Sequence, residues 1–188
     1  MSEFEETDFV LDDFHTDKPV KKKKVNSGVK GKNGERQLCK ILNERFADIL
    51  KKNPSWGGFN RSVGSGNRRW QTNLSKKATE LYSGDIVCDH FNFTIESKCG
   101  YDIDFIKAFE GNKAIDEFLK QAEMDAGACE KKPMLIWKKD HQIPLVFLKH
   151  FPIENLIKFE YSMHYRDWTV VSLEELLSKM NDQFFFGK

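Results

Sequence analysis

The sequence predicts an α/β protein in which helices flank a mixed central β-sheet. The first observation is the order of the hydrophobic patterns, which change between helical and strand periods along the chain. The second is the composition, because 39% hydrophobic residues with sixteen phenylalanines are enough to form a core in 188 residues. The third is that the sequence has no apolar run of about 18 residues. We therefore expect no membrane span and no membrane partner.

Charge is distributed unevenly along the chain, although its net value is only +1. Residues 1–17 contain seven acidic residues and no Lys or Arg, whereas residues 18–77 contain seventeen Lys or Arg residues against three acidic ones. A strongly basic segment beside an acidic remainder indicates a polyanionic partner such as DNA. On composition we expect residues 1–30 to be a disordered acidic and polylysine tail, and residues 31–188 to form a single domain.

The sequence favours an intracellular protein. Its N-terminus, "MSEFEETDFV", lacks the basic and apolar regions of a secretory signal. The four cysteines show no CxxC spacing, so we expect free thiols in a reducing compartment, the cytoplasm or the nucleus, and no structural zinc site. The run Lys21–Lys24 fits a nuclear-localisation patch, a DNA-binding arm or a solubilising tail, and a phage-encoded protein is equally consistent.

The first helix is expected to begin at or near Asn33 and to end at "NPSWGG". Glu35 falls in its first turn, where the helix dipole favours an acidic side chain. Its apolar face is marked by residues at helical spacings, namely Leu38, Ile41, Leu42, Phe46, Ile49 and Leu50.

Residues 59–84 predict a long basic loop, rich in Gly, Ser and Asn. A loop of this length in a compact domain is usually functional. With Trp70 available for stacking on a base, its cationic residues are typical of a surface that follows a phosphate backbone: Arg61, Arg68, Arg69, Lys76 and Lys77. The alternative is a solvated loop with a packed tryptophan.

Hydrophobic periodicity predicts the elements that follow, which are two strands in residues 84–100 joined by a turn at 89–92, a helix over 105–128, two short strands within 132–150, and a strand over 167–172. A short helix comes next, and Ser172 and Glu175 form a capping box at its start. We expect the C-terminal phenylalanines at 184–186 to pack on the core and not to dock a partner.

The predicted hairpin brings acidic residues together. With the turn at 89–92, Asp85 falls opposite Glu96, and directly opposed residues point to the same face of a sheet. Lys98 lies two residues beyond Glu96 and shares that face. A slip of one residue in the register would separate the two acids. The opposite face of the hairpin supplies core residues, namely Ile86, Cys88, Phe93 and Ile95.

This acidic face is suited to metal-assisted hydrolysis of a phosphodiester. Two adjacent carboxylates repel each other, and burial increases the repulsion. A divalent cation compensates for it, and Mg²⁺ usually binds one or two carboxylates together with waters and phosphate oxygens. A lysine beside the metal can orient an attacking water and offset charge on the phosphate. An ordinary surface ion pair is the alternative interpretation.

Five motifs extend this pattern: "KGKNGERQL" with Glu35, "RSVGSG" with Arg61 and Ser65, "SGDIV" with Asp85, "TIESK" with Glu96 and Lys98, and "EFLKQAEMDAG" with Gln121. In their order, from about Lys30 to about Leu148, the sequence resembles the PD-(D/E)xK nuclease superfamily, and within it the archaeal-type Holliday-junction resolvases. It departs from the resolvases at Gly84, where a proline is usual, in a longer segment before Asp85, and in its N-terminal tail.

The resemblance implies a restriction-endonuclease-like core and a DNA endonuclease that depends on Mg²⁺, with Mn²⁺ as a substitute. The implied metal ligands are Asp85, Glu96, the carbonyl of Ser97, and Glu35. Lys98 would orient the attacking water, and Gln121 would hydrogen-bond near it. Contacts to the DNA backbone are assigned to Lys30, Lys32, Arg61, Ser65, Arg68, Arg69, Lys76 and Lys77.

The resemblance further implies cleavage of Holliday junctions, in DNA recombination or repair, to 5′-phosphate products. A homodimer is expected, because a junction presents two symmetric strands to cut. No nucleotide cofactor is expected, since "VGSGNRR" lacks the GK[ST] ending of a phosphate-binding loop. Two alternatives stay open: a restriction-type or replication and repair endonuclease on the same fold, and a non-catalytic DNA-binding protein that retains the fold.

Overall fold

The computed structural model describes residues 27–63, 83–100, 111–139, 141–152, 155 and 158–187. Residues 1–26 of the predicted tail lie outside these ranges, as do five of the residues predicted to contact DNA: Ser65, Arg68, Arg69, Lys76 and Lys77. Within the described ranges, no helix is both long enough and apolar enough to cross a membrane. All four cysteines fall in these ranges, and each is a free thiol.

Helices precede, interrupt and follow the strands of the described chain. The helices are α1 (Ser27–Arg45), α2 (Ala47–Lys52), α3 (Lys113–Ala128), α4 (Leu173–Lys179) and α5 (Asp182–Phe186), with a short 3₁₀ helix at Pro54–Trp56. The strands are β1 (Asn60–Arg61), β2 (Ile86–Val87), β3 (Phe93–Cys99), β4 (Lys132–Lys138), β5 (Leu145–Lys149), β6 (Ser162–Tyr165) and β7 (Trp168–Ser172).

The described strands form one mixed sheet, in the order β1-β2-β3-β4-β5-β7-β6. β3 and β4 are parallel, and α3 lies between them in the chain, as the connection of parallel strands requires. The other neighbouring pairs in the described sheet are antiparallel. The sheet with its flanking helices confirms the predicted α/β class and is consistent with a restriction-endonuclease-like fold.

Each face of the sheet carries its own hydrophobic cluster. Successive residues of a strand point to opposite faces, so β4 sends Met134 and Ile136 to the α1 side and Leu135 and Trp137 to the α3 side. Phe185 is fully buried in the cluster on the α1 side, which confirms that the C-terminal phenylalanines pack on the core. The central strands therefore pack between two helical layers, and successive side chains of β3 point alternately to the α1 side and to the α3 side.

The start of α1 differs from the prediction. The helix begins at Ser27, so the expected boundary between tail and domain at residues 30 and 31 falls inside it. Asn33 is not the cap; it lies within the helix, and its Oδ1 accepts a hydrogen bond from Arg36. Lys30 explains part of the extension, because its side chain lies over Gly100 at the end of β3. Such a tertiary contact supports a turn that intrinsic helix propensity does not predict.

The start of α3 also differs from the prediction. Gly111 has a φ of +93°, which is outside the helical region, and the helix begins only at Lys113. Asn112 caps it, since its side chain accepts hydrogen bonds from the amides of Ala114 and Ile115. The part of the predicted helix at residues 101–110 lies outside the described residues.

Two strands at opposite edges of the sheet were not predicted. β1 has only two residues, too few to show the alternation of apolar and polar side chains that predicts a strand. β6 has two exposed residues among its four, and its polar composition conceals its alternation. The strands and the short helix predicted for residues 132–150 and 167–179 are confirmed, including the hydrogen bond from the Glu175 amide to the Ser172 hydroxyl at the start of α4.

Candidate active site

The candidate site lies where β2 and β3 pair at one side of the sheet. Ile86 pairs with Ile95, which is the register predicted from the sequence. The Asp85 amide continues this pairing by donating to the Ile95 carbonyl at 2.8 Å. Asp85 therefore lies opposite the start of the Glu96–Lys98 segment, while Ile86 and Ile95 join the core as predicted.

Two further hydrogen bonds fix Asp85. Its Oδ2 accepts from the Ser97 amide at 2.9 Å, and its backbone carbonyl accepts from the Ser62 amide at 2.9 Å. The first bond ties the carboxylate to β3, and the second ties the backbone to the residue after β1. One oxygen of this carboxylate is thus held by the backbone, a contact that preorganises it before any ligand binds.

Gly84 explains a departure from the usual motif. It has a φ of +77°, and a Cβ at this position would lie 2.7 Å from the Ile95 carbonyl oxygen. Proline holds φ near −65°, so it cannot adopt this conformation. Only glycine fits a left-handed turn that approaches the neighbouring strand so closely. Gly84 thus sets the direction from which Asp85 enters the site.

Glu96 is the most deeply buried acid of the described site, with 1% of its surface exposed. One oxygen, Oε1, accepts a hydrogen bond from Lys98. The other, Oε2, is buried and has no hydrogen-bond partner among the described residues. A buried carboxylate oxygen without a partner is costly, so it marks a position that a ligand would complete.

Lys98 has three neighbours that hold its ammonium group over the site. It donates to Glu96 Oε1, its Nζ lies 3.5 Å from Gln121 Oε1, and it lies 5.2 Å from the centre of the Phe118 ring. Gln121 and Phe118 both belong to α3, so this helix positions the lysine from above the sheet. The structure thus brings together three of the predicted catalytic residues.

Burial dominates the electrostatics of the two acids. It raises the pKa of Asp85 to about 6, and the hydrogen bond from the Ser97 amide and the charge of Lys98 only partly oppose it. Burial also raises the pKa of Glu96 to about 8, with the charge of Asp85 as the next cause. Without a cation, the site therefore retains a proton near neutral pH.

Glu35 and Arg61 were predicted to act separately, on the metal and on DNA. The structure instead pairs them, with Arg61 Nε 2.5 Å from Glu35 Oε2. Glu35 is buried on α1, and Arg61 is half-buried on β1. The pair still lies near the site, because the charge of Glu35 contributes to raising the pKa of Asp85. This contact engages one oxygen of Glu35 and one nitrogen of Arg61.

Lys30 and Lys32, both predicted to contact DNA, are described and lie on α1. Lys32 is exposed, and Lys30 is half-buried over Gly100, directly after β3. Lys30 therefore lies at the end of the strand that carries Glu96 and Lys98.

Asp125 is a residue that sequence reasoning missed. It lies on α3 one turn after Gln121, is 8% exposed, and its charge raises the pKa of both Asp85 and Glu96. The signal was present in the sequence as Gln and Asp at positions i and i+4, which share a helix face. The spacing alone does not distinguish Asp125 from a solvated helix residue, because it does not show which face of α3 packs on the sheet.

The donor set fits a hard divalent cation. Asp85 and Glu96 supply carboxylate oxygens, and Oε2 of Glu96, which has no hydrogen-bond partner in the described part of the chain, is an acceptor of the kind that such an ion binds. In the described part of the chain, no three His, Cys, Asp or Glu side chains form a complete metal-binding group. Two carboxylates with waters are nevertheless sufficient for Mg²⁺, which retains several waters when it binds to proteins.

The fold and the site together define a class of protein. An acid at the start of one strand, an acid-x-lysine sequence on its antiparallel neighbour, and a flanking helix with a glutamine over the lysine define a PD-(D/E)xK nuclease core. Residues 26–186 match the family described as "Phage putative PDDEXK endonuclease", and the chain belongs to this family. Neither a curated protein nor a solved structure matches the sequence. The family match supports the superfamily and gives no support to the narrower resemblance to archaeal-type resolvases.

Proposed function

We propose that this protein is a DNA endonuclease that depends on a divalent metal and cleaves branched DNA, with the four-way junction as its preferred substrate. The observation that carries the proposal is the buried Oε2 of Glu96, beside Asp85 and Lys98, which accepts no hydrogen bond from the described residues. A structural ion pair gains nothing from such an oxygen, whereas a metal site requires it. The family match to endonucleases supports the reaction class.

Asp85 and Glu96 would hold the metal, with the Ser97 carbonyl as a further ligand. Mg²⁺ is the proposed ion and Mn²⁺ its substitute; when bound, it supplies Lewis-acid activation of the phosphate and lowers the pKa of water. Glu35 would contribute through a water or after releasing Arg61. Arg61 would then be free to pair with a phosphate oxygen.

Lys98 is proposed to orient the attacking water. Its ammonium group donates to Glu96 in the structure, and a cation held by Glu96 would weaken that attraction by sharing the carboxylate charge. Lys98 could thus turn one N–H towards a water or phosphate oxygen, while Gln121 and Phe118 retain its position. The expected product carries a 5′-phosphate.

DNA would be held through its backbone, by charge and shape and not by base contacts. Lys30 and Lys32 of α1 and Arg61 of β1 are the described cations assigned to this role, and the remainder belong to residues 64–82. A homodimer is proposed because two symmetric cuts require two active sites. Light scattering on the purified protein, alone and with a junction, measures that assembly.

Cleavage assays on labelled DNA test the proposal. The four-way junction, a flap and a linear duplex of the same sequence are compared with Mg²⁺, with Mn²⁺ and with EDTA. We expect the junction to be cut fastest, EDTA to abolish cutting, and Glu96→Ala to bind DNA without cutting it. Preferential cutting of the flap or the duplex would favour the repair or restriction alternative, and binding without any cutting the non-catalytic one. Cutting in EDTA, or full activity of Glu96→Ala, contradicts the proposed chemistry.

A further inference from the structure

Asp125 is a buried residue of α3, the helix that carries Gln121 beside Lys98, and the role inferred for it rests on the proposed function. We propose that Asp125 is a third carboxylate of the metal centre, which holds the metal's water shell from the α3 side and increases the affinity for the ion. It is a positioning residue and not a direct ligand, in keeping with the lack of a complete three-residue metal group among the described side chains.

Two contacts fix how α3 lies on β3. At one end Gln121 Oε1 lies 3.5 Å from Lys98 Nζ, and at the other Cys129 Sγ lies 3.0 Å from Thr94 Oγ1. Four residues of helix advance about 6 Å, and two residues of strand advance about 6.6 Å. The chain therefore covers about the same distance from Gln121 to Cys129 as β3 covers from Lys98 to Thr94, so residues midway between the contacts lie at the same level.

The residue midway between these contacts on the helix is Asp125, and the residue midway on the strand is Glu96. The packing thus sets the two acids against each other, although both are more than nine-tenths buried. The charge of Asp125 contributes to the raised pKa of Glu96 and of Asp85, which agrees with this placement. Oε2 of Glu96, for which the described ranges supply no hydrogen-bond partner, belongs to this pair of acids.

The charges of this region point to a divalent cation. Asp85, Glu96 and Asp125 carry three negative charges when ionised, and Lys98 carries one positive charge. Glu35 and Arg61 neutralise each other. Among the charges that the described residues place here, two negative charges remain, which is the charge that one divalent ion balances, and burial disfavours three ionised carboxylates without such a cation.

Calorimetric titration of the full chain with Mg²⁺ alone, together with thermal unfolding with and without Mg²⁺, tests the role of Asp125 without relying on cleavage. We expect Asp125→Asn to weaken Mg²⁺ binding by about tenfold, the low end of the range for supporting carboxylates. The metal-free variant should unfold at the same temperature as the parent or higher, because one repelling charge is gone. Glu117→Gln removes an exposed acid from the same helix and should leave Mg²⁺ binding unchanged.

Asp125→Glu retains the charge and should bind Mg²⁺ within a few-fold of the parent, which tests the same role in a second variant if Asp125→Asn does not fold. The inference is overturned if Asp125→Asn binds Mg²⁺ with unchanged affinity. It is also overturned if the metal-free variant unfolds at a lower temperature while Mg²⁺ raises its unfolding temperature by as much as it does for the parent. Either result leaves Asp125 a structural residue. These results leave the proposed function intact. If the parent itself shows no Mg²⁺ binding, the proposed metal site fails, and the role of Asp125 fails with it.

Discussion

Glu96 and Lys98 show how a common residue pair acquires a chemical role. On a solvated strand, a glutamate and a lysine two residues apart contribute little to stability. Here Glu96 is fully buried, its second oxygen has no partner in the described structure, and Asp85 approaches it from the neighbouring strand. Burial therefore favours either a retained proton or, as proposed, a bound cation at this pair, because two buried carboxylates repel each other unless their charge is compensated.

The first residue-scale prediction concerns Lys98. Lys98→Met should reduce junction cleavage by about 10²–10⁴-fold, the range for a group that positions or transfers a proton in the transition state. DNA binding should change little, since one half-buried cation makes a small part of a backbone interface. Single-turnover cleavage and a filter-binding assay measure the two effects.

The matched control for Lys98 is Lys132→Met, which removes an exposed lysine from the neighbouring strand β4. It should cleave at the parental rate. A Lys98→Met protein that retains more than a tenth of the parental rate would show that the lysine has no part in the chemistry.

The second residue-scale prediction concerns pH. The folded pKa values of Asp85 and Glu96, about 6 and about 8, lie above those of the unfolded chain. Acids with raised pKa values contribute stability that is fully present below the unfolded values and is lost as pH rises through the folded ones. Without metal, the free energy of unfolding should therefore fall between about pH 4 and pH 8, by an amount on the order of a few kcal/mol.

Urea unfolding across this pH range, with EDTA and with saturating Mg²⁺, measures the effect. Mg²⁺ should flatten the curve, because the ion stabilises the ionised acids in the folded state. Glu96→Gln should flatten the metal-free curve as well, since it removes the group with the higher pKa. Identical slopes in EDTA and Mg²⁺ would argue against a metal at these two acids.

Secondary-structure elements were predictable to the extent that their signals are local. The β2–β3 register follows from a period of two and a short turn, so the opposition of Asp85 and Glu96 could be deduced from the sequence alone. The start of α1 could not, because it depends on the contact of Lys30 with Gly100, seventy residues away. Asp125 was missed for the same reason, since the packing of α3 against β3 decides which helix face is buried.

The element-scale prediction concerns the turn that enters β2. Gly84→Ala combines a left-handed backbone with a clash against the Ile95 carbonyl, so we expect a loss of about 2–4 kcal/mol in the free energy of unfolding. Cleavage should also fall, because the clash displaces Asp85. Denaturant unfolding at a fixed pH measures the loss in stability.

Gly57→Ala is the matched control for the turn. Gly57 has a similar φ of +68°, but a Cβ there meets nothing within 4 Å. Its substitution should cost only the backbone strain, about 1–2 kcal/mol. The difference between the two variants therefore measures the clash alone. Equal losses would show that β2 and β3 do not approach each other as closely as the structure places them.

The whole molecule combines a nearly neutral net charge with a strong internal asymmetry. Residues 18–77 hold seventeen of the thirty Lys and Arg residues, and they include α1, α2 and β1. The described part of this segment contains Glu35, whose charge contributes to the raised pKa of Asp85, and Arg61, which pairs with Glu35. We therefore expect a polyanion attracted to the described basic residues of α1 and β1 to approach the proposed metal site.

The prediction at this scale is a steep salt dependence of DNA binding. Seven cations are assigned to the backbone interface, so raising salt from about 50 to 200 mM should lower affinity by about 10³-fold or more. The double variant Lys30→Gln/Lys32→Gln should reduce the slope of log affinity against log salt by about 2, because each lost phosphate contact releases about one counterion fewer. Fluorescence anisotropy with a labelled junction at four salt concentrations measures the slope.

Lys51→Gln/Lys52→Gln is the control, because it removes two exposed lysines from the far end of the α1–α2 segment. It should leave the slope within about 0.5 of the parent. Equal slopes for the two double variants would mean that charge acts on DNA from the segment as a whole, with no contact specific to the start of α1.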